Sequence, residues 1–198
     1  MSKKIWRYTA SLYAILRMNP ISSRILRKEI RAVNSLLTEI PDNSFDIVGD
    51  IGTGRGHSLE LIPDQAILKF AIDNCMEMII HTRVRFPGIY FSRAEALHLP
   101  IKNSRFDLIL CIGLLEYIDD MERLLNQLNS ALKAEKYLII TQSQRHILNY
   151  LRYLTGHKIY TRSTDFMEKC FNISGFKIIR RRASLIQQQY LLQKKSPL

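Results

Sequence analysis

Cysteine is scarce in this chain: Cys75, Cys111 and Cys170 are the only three in 198 residues, widely spaced and odd in number. No C-x-x-C pair occurs, so neither a disulfide framework nor a zinc site is expected, and the thiols fit a reducing, cytoplasmic setting. No run of about 18 apolar residues exists, which removes a transmembrane helix from the expectations. The N-terminal stretch has no unbroken apolar segment leading to small residues, so no secretory signal is expected either. The five histidines form no i, i+4 pair and no H-E-x-x-H, leaving no metal site to propose. Internal repeats and low-complexity tracts are absent. Glycine is sparse as well, eight in all, yet three of the eight stand at 52, 54 and 56.

What is present is the composition of a soluble globular domain, 46% hydrophobic and 24% charged, in a length that suits one full core and is short for two. The net charge of +11 is unevenly placed. Residues 1–40 hold eight lysines and arginines against two glutamates, and residues 175–198 hold six and no acid. The middle, with fifteen basic and sixteen acidic residues, is close to neutral. Basic ends of this kind can meet anionic lipid, nucleic acid or an acidic substrate.

Phe45 to Gly56 (Phe-Asp-Ile-Val-Gly-Asp-Ile-Gly-Thr-Gly-Arg-Gly) reads as a buried strand, a tight turn and a helix start. Glycine supplies positive-φ geometry there and lets backbone N–H groups come close to a ligand. A P-loop would need Lys-Ser or Lys-Thr after its last glycine, and this stretch has His57-Ser58. The dinucleotide fingerprint starting at Gly52 would need glycine at 57, where histidine stands. The pattern that remains is Asp50-x-Gly52-x-Gly54-x-Gly56. A second strand, 67–73, ends in Asp73, 23 residues beyond Asp50. Nucleotide-binding βαβ units place there the carboxylate that accepts from a ribose diol, although an aspartate can equally cap the helix expected over 74–86.

The glycine motif resembles motif I of the class I S-adenosylmethionine-dependent methyltransferases, small-molecule enzymes of the type-11 kind, and matches it at every defining position. Glu95-Ala96, in register with Leu99-Pro100, is similar to the family's acid-Ala-x-x-Leu-Pro loop at the adenine, where aspartate is the commoner acid. An ordinary exposed loop acid is the alternative. Gly113 to Asp120 resembles the family segment beside the methionine part of the cofactor, and Gly175 to Arg181 resembles its last hairpin. The resemblance covers roughly 41–192. It implies a Rossmann-like α/β fold, a seven-stranded mostly parallel sheet with helices on both faces. The implied cofactor is S-adenosylmethionine, with S-adenosylhomocysteine as product. The contacting set implied is Asp50, Gly52, Thr53, Gly54, Gly56, Asp73, Asn74, Glu95, Ala96, Cys111 and Gly113, with Cys111 also readable as core.

Around this unit the periodicity predicts two N-terminal helices, 5–18 and 22–39, forming a basic helical lid over residues 1–40 ahead of a methyltransferase domain at 41–198. A short helix is expected at 56–61, strands at 88–93 and 108–112, a helix at 119–133, a fifth strand at 137–141, a helix at 163–172 and a closing strand pair at 176–181 and 185–192. Residues 142–162, polar and aromatic, read either as a substrate-shaping insertion or as a surface helix and loop. A general base is needed only if the nucleophile must lose a proton, and His57, Glu116, Tyr117 and His146 are the candidates. No Asn/Asp-Pro-Pro-Tyr follows the fourth strand, and Cys111 has no preceding proline, so adenine-N6 and cytosine-C5 chemistry are not indicated. The expected reaction is methyl transfer to O, N or C of a small, amphipathic or lipid-like molecule by a cytoplasmic protein whose basic termini touch anionic membrane. An RNA methyltransferase and a non-catalytic cofactor- or partner-binding domain are the alternatives.

Overall fold

The computed structural model describes residues 20–41, 44–144, 158–184 and 186–196, with side chains from residue 24 onward. The helix expected at 5–18, His146 and most of the 142–162 segment lie outside the described residues. In chain order the elements are α1 (Pro20–Leu37), β1 (Ile47–Ile51), β2 (Leu68–Asp73), α2 (Met76–Arg85), β3 (Tyr90–Arg93), β4 (Phe106–Cys111), α3 (Met121–Ala131), β5 (Leu132–Ser143), α4 (Thr164–Ile173), β6 (Phe176–Ala183) and β7 (Gln187–Lys194). Single 3₁₀ turns occur at Leu59–Leu61 and Leu115–Tyr117.

The strands form one seven-stranded sheet, as expected, and its order is β3-β2-β1-β4-β5-β7-β6. Strand β7 runs antiparallel to both of its neighbours and the other pairs are parallel. The central strands are apolar on both faces because both faces are covered. In β4, Ile109 and Cys111 join a core with α3 and α4, while Leu108 and Leu110 join a second core under α1. The same two-residue alternation continues in β5, with Leu138 and Ile140 on one side and Ile139 on the other.

Two boundaries differ from expectation for local reasons. The helix expected after the glycine turn is one 3₁₀ turn: positive φ at Gly56 ends the preceding geometry, and Pro63 holds Ile62 extended at φ −66°, ψ 125°. The few residues between cannot sustain helix nucleation. Strand β5 starts at Leu132 rather than 137, directly off α3; Leu132 pairs with Phe106, and after a bulge containing Glu135 (φ 61°) Tyr137 pairs with Leu108.

One buried carboxylate ties the sheet's centre together. Asp107 accepts from the N–H groups of Asp46 (3.1 Å) and Ile47 (2.9 Å) and from Lys133 Nζ (2.9 Å). Burial pushes its carboxyl up, but Lys133 and the Ile47 N–H more than offset that and leave it below the usual carboxylate range. Its stabilising contribution is therefore present above the unfolded pKa of about 4 and is lost as pH falls below it. Asp107→Ala, which strands these donors, is expected to cost about 2–3 kcal/mol in urea unfolding at pH 7. The difference from wild type should shrink below about pH 4.

Candidate functional site

A cavity of about 470 Å³ opens at the C-terminal ends of β1, β2 and β4, where strand order reverses about the β1–β4 pair. Open parallel sheets bind ligands at such a switch point, and the volume lies in the range of small-ligand sites.

The glycine turn forms its floor. Gly54 has φ +49°, and a Cβ there would meet no atom closer than the Gly52 carbonyl at 3.9 Å, so the space above it is open to a ligand. Gly56 has a different role: a Cβ would come within 2.5 Å of Thr82 Cγ2, so the glycine lets the turn pack on α2. The turn's N–H groups are not held out to a ligand as the sequence suggested. Gly52 and Thr53 donate to the Ile72 carbonyl, Gly56 to the Thr53 carbonyl, and Gly54 to Asp73 Oδ2 at 2.8 Å. With these donors committed the turn is no phosphate nest, which argues against a nucleotide held by pyrophosphate.

Asp73 ends β2 and lines the cavity. Its Oδ1 accepts from the Cys75 N–H at 2.9 Å; the helix N-cap is Cys75 itself, so the aspartate braces the turn into α2 and is not its cap. Each carboxylate oxygen has a second lone pair available to a hydroxyl. Burial pushes the Asp73 carboxyl up, and the N–H groups around it pull the other way. Behind the wall, Asp50 is fully buried; burial raises it to about 6, against the pull of the Thr53 and Ser58 hydroxyls and with the Asp73 charge adding to the rise. Ser58 Oγ donates to Asp50 Oδ2 at 2.8 Å, whereas Thr53 acts from outside hydrogen-bonding geometry. Asp50 Oδ1 and Thr53 Oγ1 have no hydrogen-bond partner among the described residues.

Glu95 and Ala96 line the same cavity from the loop after β3. Asn74 Nδ2 donates to Glu95 Oε2 at 3.3 Å, and the loop is held by the Leu99 N–H on Gln127 Oε1 and by Arg123 on the Leu97 carbonyl. Across the cavity, Gly113 donates to Thr141 Oγ1 at 2.8 Å, which fixes the exit from β4.

The following turn is clamped from a distance. Arg162 donates to the Leu115 carbonyl (3.0 Å), the Asp119 carbonyl (3.2 Å), the Ile118 carbonyl and Gln142 Oε1 (3.3 Å). The Tyr160 N–H meets the Glu116 carbonyl at 2.7 Å, and Ser143 Oγ donates to Glu116 Oε1 at 2.9 Å.

The structure thus gathers Gly52, Thr53, Gly54, His57, Asp73, Asn74, Glu95, Ala96, Gly113 and Tyr117 around one cavity. Four expected site residues do not line it. Asp50 and Gly56 stand behind the turn. Cys111 is in the core, where burial pushes its thiol up, so it is no contact residue. Glu116 is wholly buried with Ser143, which makes it a support of the turn rather than a group facing the cavity. Sequence reasoning missed Leu26, Glu29, Ile30 and Val33 of α1, and also Lys158 and Gln187, all on the cavity wall. A run of three glutamines, 187–189, opening the last strand was a signal for the Gln187 end of this wall.

The residues present fit an adenosyl sulfonium: open space over Gly54, a diol-accepting carboxylate at Asp73 and unpaired buried oxygens at Asp50 and Thr53. Residues 49–140 match the model of a methyltransferase domain. An uncharacterized protein of Methanocaldococcus jannaschii is 30% identical over 84% of this chain and 69% of its own length. A probable S-adenosylmethionine-dependent methyltransferase of Mycobacterium tuberculosis is 23% identical over 48% of this chain, a stretch that makes up 35% of that relative. Among solved structures, magnesium protoporphyrin IX methyltransferase from Synechocystis PCC 6803 with bound S-adenosylhomocysteine superposes with a TM-score of 0.76 over 98% of this chain and 100% of that one, at 16% identity. With its motif, its sheet order and its crevice in agreement with these likenesses, the chain belongs to the class I S-adenosylmethionine-dependent methyltransferase family and is a methyltransferase enzyme.

Proposed function

We propose that the enzyme methylates O, N or C of a small amphipathic molecule. The observation that carries this reading is the wall that α1 gives the cavity. It is formed by Leu26, Ile30 and Val33, an apolar surface suited to a small acceptor rather than to a polynucleotide. When bound, S-adenosylmethionine would supply an electrophilic methyl to the acceptor's lone pair, with S-adenosylhomocysteine and the acceptor's proton as the other products.

The protein's part is positioning. Asp73 and Glu95 hold the adenosyl half, and the Gly113–Asp119 turn, braced by Arg162, holds the other end against the acceptor. His57 and Tyr117 are the candidate bases that line the cavity. A panel of amphipathic metabolites, scored by S-adenosylhomocysteine release, tests the reading; turnover confined to RNA would overturn it.

A second reading draws on one surface feature. Arg24, Arg27, Lys28 and Arg31 recur at helical spacing on the exposed face of α1, and none has a carboxylate partner among the described residues. The arginines of β6 differ in this respect, since Arg180 and Arg182 pair with Glu39 and Arg181 with Glu168. The α1 stripe supports contact with an anionic membrane surface, each charge contributing about 1 kcal/mol near such a surface. Reversing Arg24 and Arg27 to Glu should lower sedimentation with phosphatidylserine vesicles. Undiminished binding to vesicles, or salt-steep binding to RNA in their place, would count against membrane contact.

Two further outcomes follow from the carboxylates. Asp73→Ala is expected to weaken S-adenosylmethionine binding by about 100-fold or more in calorimetry, as two charge-assisted hydrogen bonds are lost. Because the cofactor is cationic and burial lifts Asp50 to about 6 and raises Asp73, protons compete with it at low pH. Affinity should hold above about pH 7 and fall roughly tenfold per unit below 6, with a flatter profile in Asp50→Asn.

A further inference from the structure

One cation on the cavity wall is left without a counter-charge. Lys158 lines the cavity, and its ammonium has no hydrogen-bond or ion-pair partner among the described residues. It lies over the Tyr160 ring, 4.8 Å from the centroid, with the Arg162 guanidinium also against that ring at 5.6 Å. An aromatic face attracts an ammonium without neutralising it. The segment that carries Lys158 is held in place by its backbone. The Tyr160 N–H donates to the Glu116 carbonyl at 2.7 Å, the Tyr160 carbonyl accepts from Gln142 Nε2 at 3.0 Å, and Ile159 is buried between the two outward residues.

The acids on the same wall are engaged elsewhere. Asp73 accepts from the Gly54 and Cys75 N–H groups, and Glu95 accepts from Asn74. Asp119 Oδ1 accepts from the Asp120 N–H at 2.9 Å, and its charge bears on Arg162, which bonds its carbonyl. Glu29 is buried within α1, and Arg55, the other lysine or arginine on the wall, belongs to the glycine turn. An occupant that fills the cavity takes the Lys158 ammonium out of water, and a covered charge without a partner is costly. The occupant therefore brings the anion itself. Lysine suits this task as a compact point charge with three donors, and Leu26, Ile30 and Val33 line the same cavity. Resting on the small-molecule reading above, we propose that Lys158 is a specificity residue and that the acceptor is an amphipathic anion, with an apolar body against α1 and a carboxylate or phosphate at the ammonium. The anion is the handle by which the acceptor is recognised.

The test uses the full chain saturated with S-adenosylhomocysteine and three probes that share one alkyl chain: octanoate, octanol and octylamine. Dissociation constants are read by ligand-observed NMR titration. Octanoate should bind most tightly to the wild type. Lys158→Met, which keeps the apolar stem, should weaken octanoate about tenfold, the value of one charge-assisted hydrogen bond, and leave octanol unchanged. Lys158→Arg should retain octanoate, and Lys158→Glu should reverse the order in favour of octylamine. The cofactor carries a carboxylate of its own, and calorimetry with S-adenosylhomocysteine separates that source from the acceptor: every variant should bind it like wild type. A loss of cofactor affinity in Lys158→Met that Lys158→Arg restores would give the ammonium to the cofactor and overturn the proposal. So would octanoate binding to the wild type no better than octylamine, or to Lys158→Met as well as to the wild type. Absence of S-adenosylhomocysteine binding in the wild type would instead overturn the methyltransfer reading itself.

Discussion

The bond from the Gly54 N–H to the Asp73 carboxylate joins the ends of β1 and β2, and the site takes its shape from it. It ties the glycine turn to the end of β2, and the Asp73 carboxylate that accepts it lines the same crevice. A second carboxylate, Asp50, lies close enough behind the turn for the Asp73 charge to add to its rise. Asp50, wholly buried with one hydroxyl donating to it, is costly to keep ionised, and burial raises Asp73 too, against its backbone donors. That arrangement suits a cationic occupant, whose charge relieves both at once, and it disfavours a polyphosphate. The selectivity of the turn thus resides in charge and in committed backbone donors more than in its three glycines.

Much of this was legible in the sequence because it is local. Asp50-x-Gly52-x-Gly54-x-Gly56 specifies a strand end and a positive-φ turn within seven residues, and Asp73 marks the end of the next strand. The apolar run at 108–112 reports a strand buried on both faces. The errors arise where a residue's role depends on what covers it. Cys111 alternates with Leu110, and nothing in the sequence says which side of β4 opens on the cavity and which on the core. Glu116 follows a strand end, as a catalytic acid would, yet Ser143 from β5 draws it inward. The turn's amides looked available because the carbonyl and carboxylate that occupy them come from β2.

The α1 side of the cavity was the least legible, since its walls come from segments far apart in the chain. Leu26, Ile30 and Val33 lie on α1, Lys158 and Tyr160 follow β5, and Gln187 opens β7. These segments are brought together by long-range contacts, among them Gln189 Nε2 donating to the Glu29 carbonyl. Helical periodicity placed α1 against the domain but could not show that its inward face borders an open space as well as a core. Val33 does both, packing with Leu36 and Val48 while facing the cavity.

The same geography bears on how a proton would leave. Of the candidate bases among the described residues, Glu116 is removed from the cavity by burial, and His57 and Tyr117 remain on its wall. Transfer from a sulfonium needs little beyond alignment when the acceptor is already a good nucleophile, and an amine loses its proton to water after the new bond forms. An alcohol is a poorer nucleophile and gains from a base in contact with it. The rigid parts of the site, Arg162 on three carbonyls of the acceptor-side turn and Thr141 on Gly113, serve alignment in either case. The fold has placed these hydrogen bonds on the turn that borders the cavity, which is where an enzyme that works chiefly by positioning requires them.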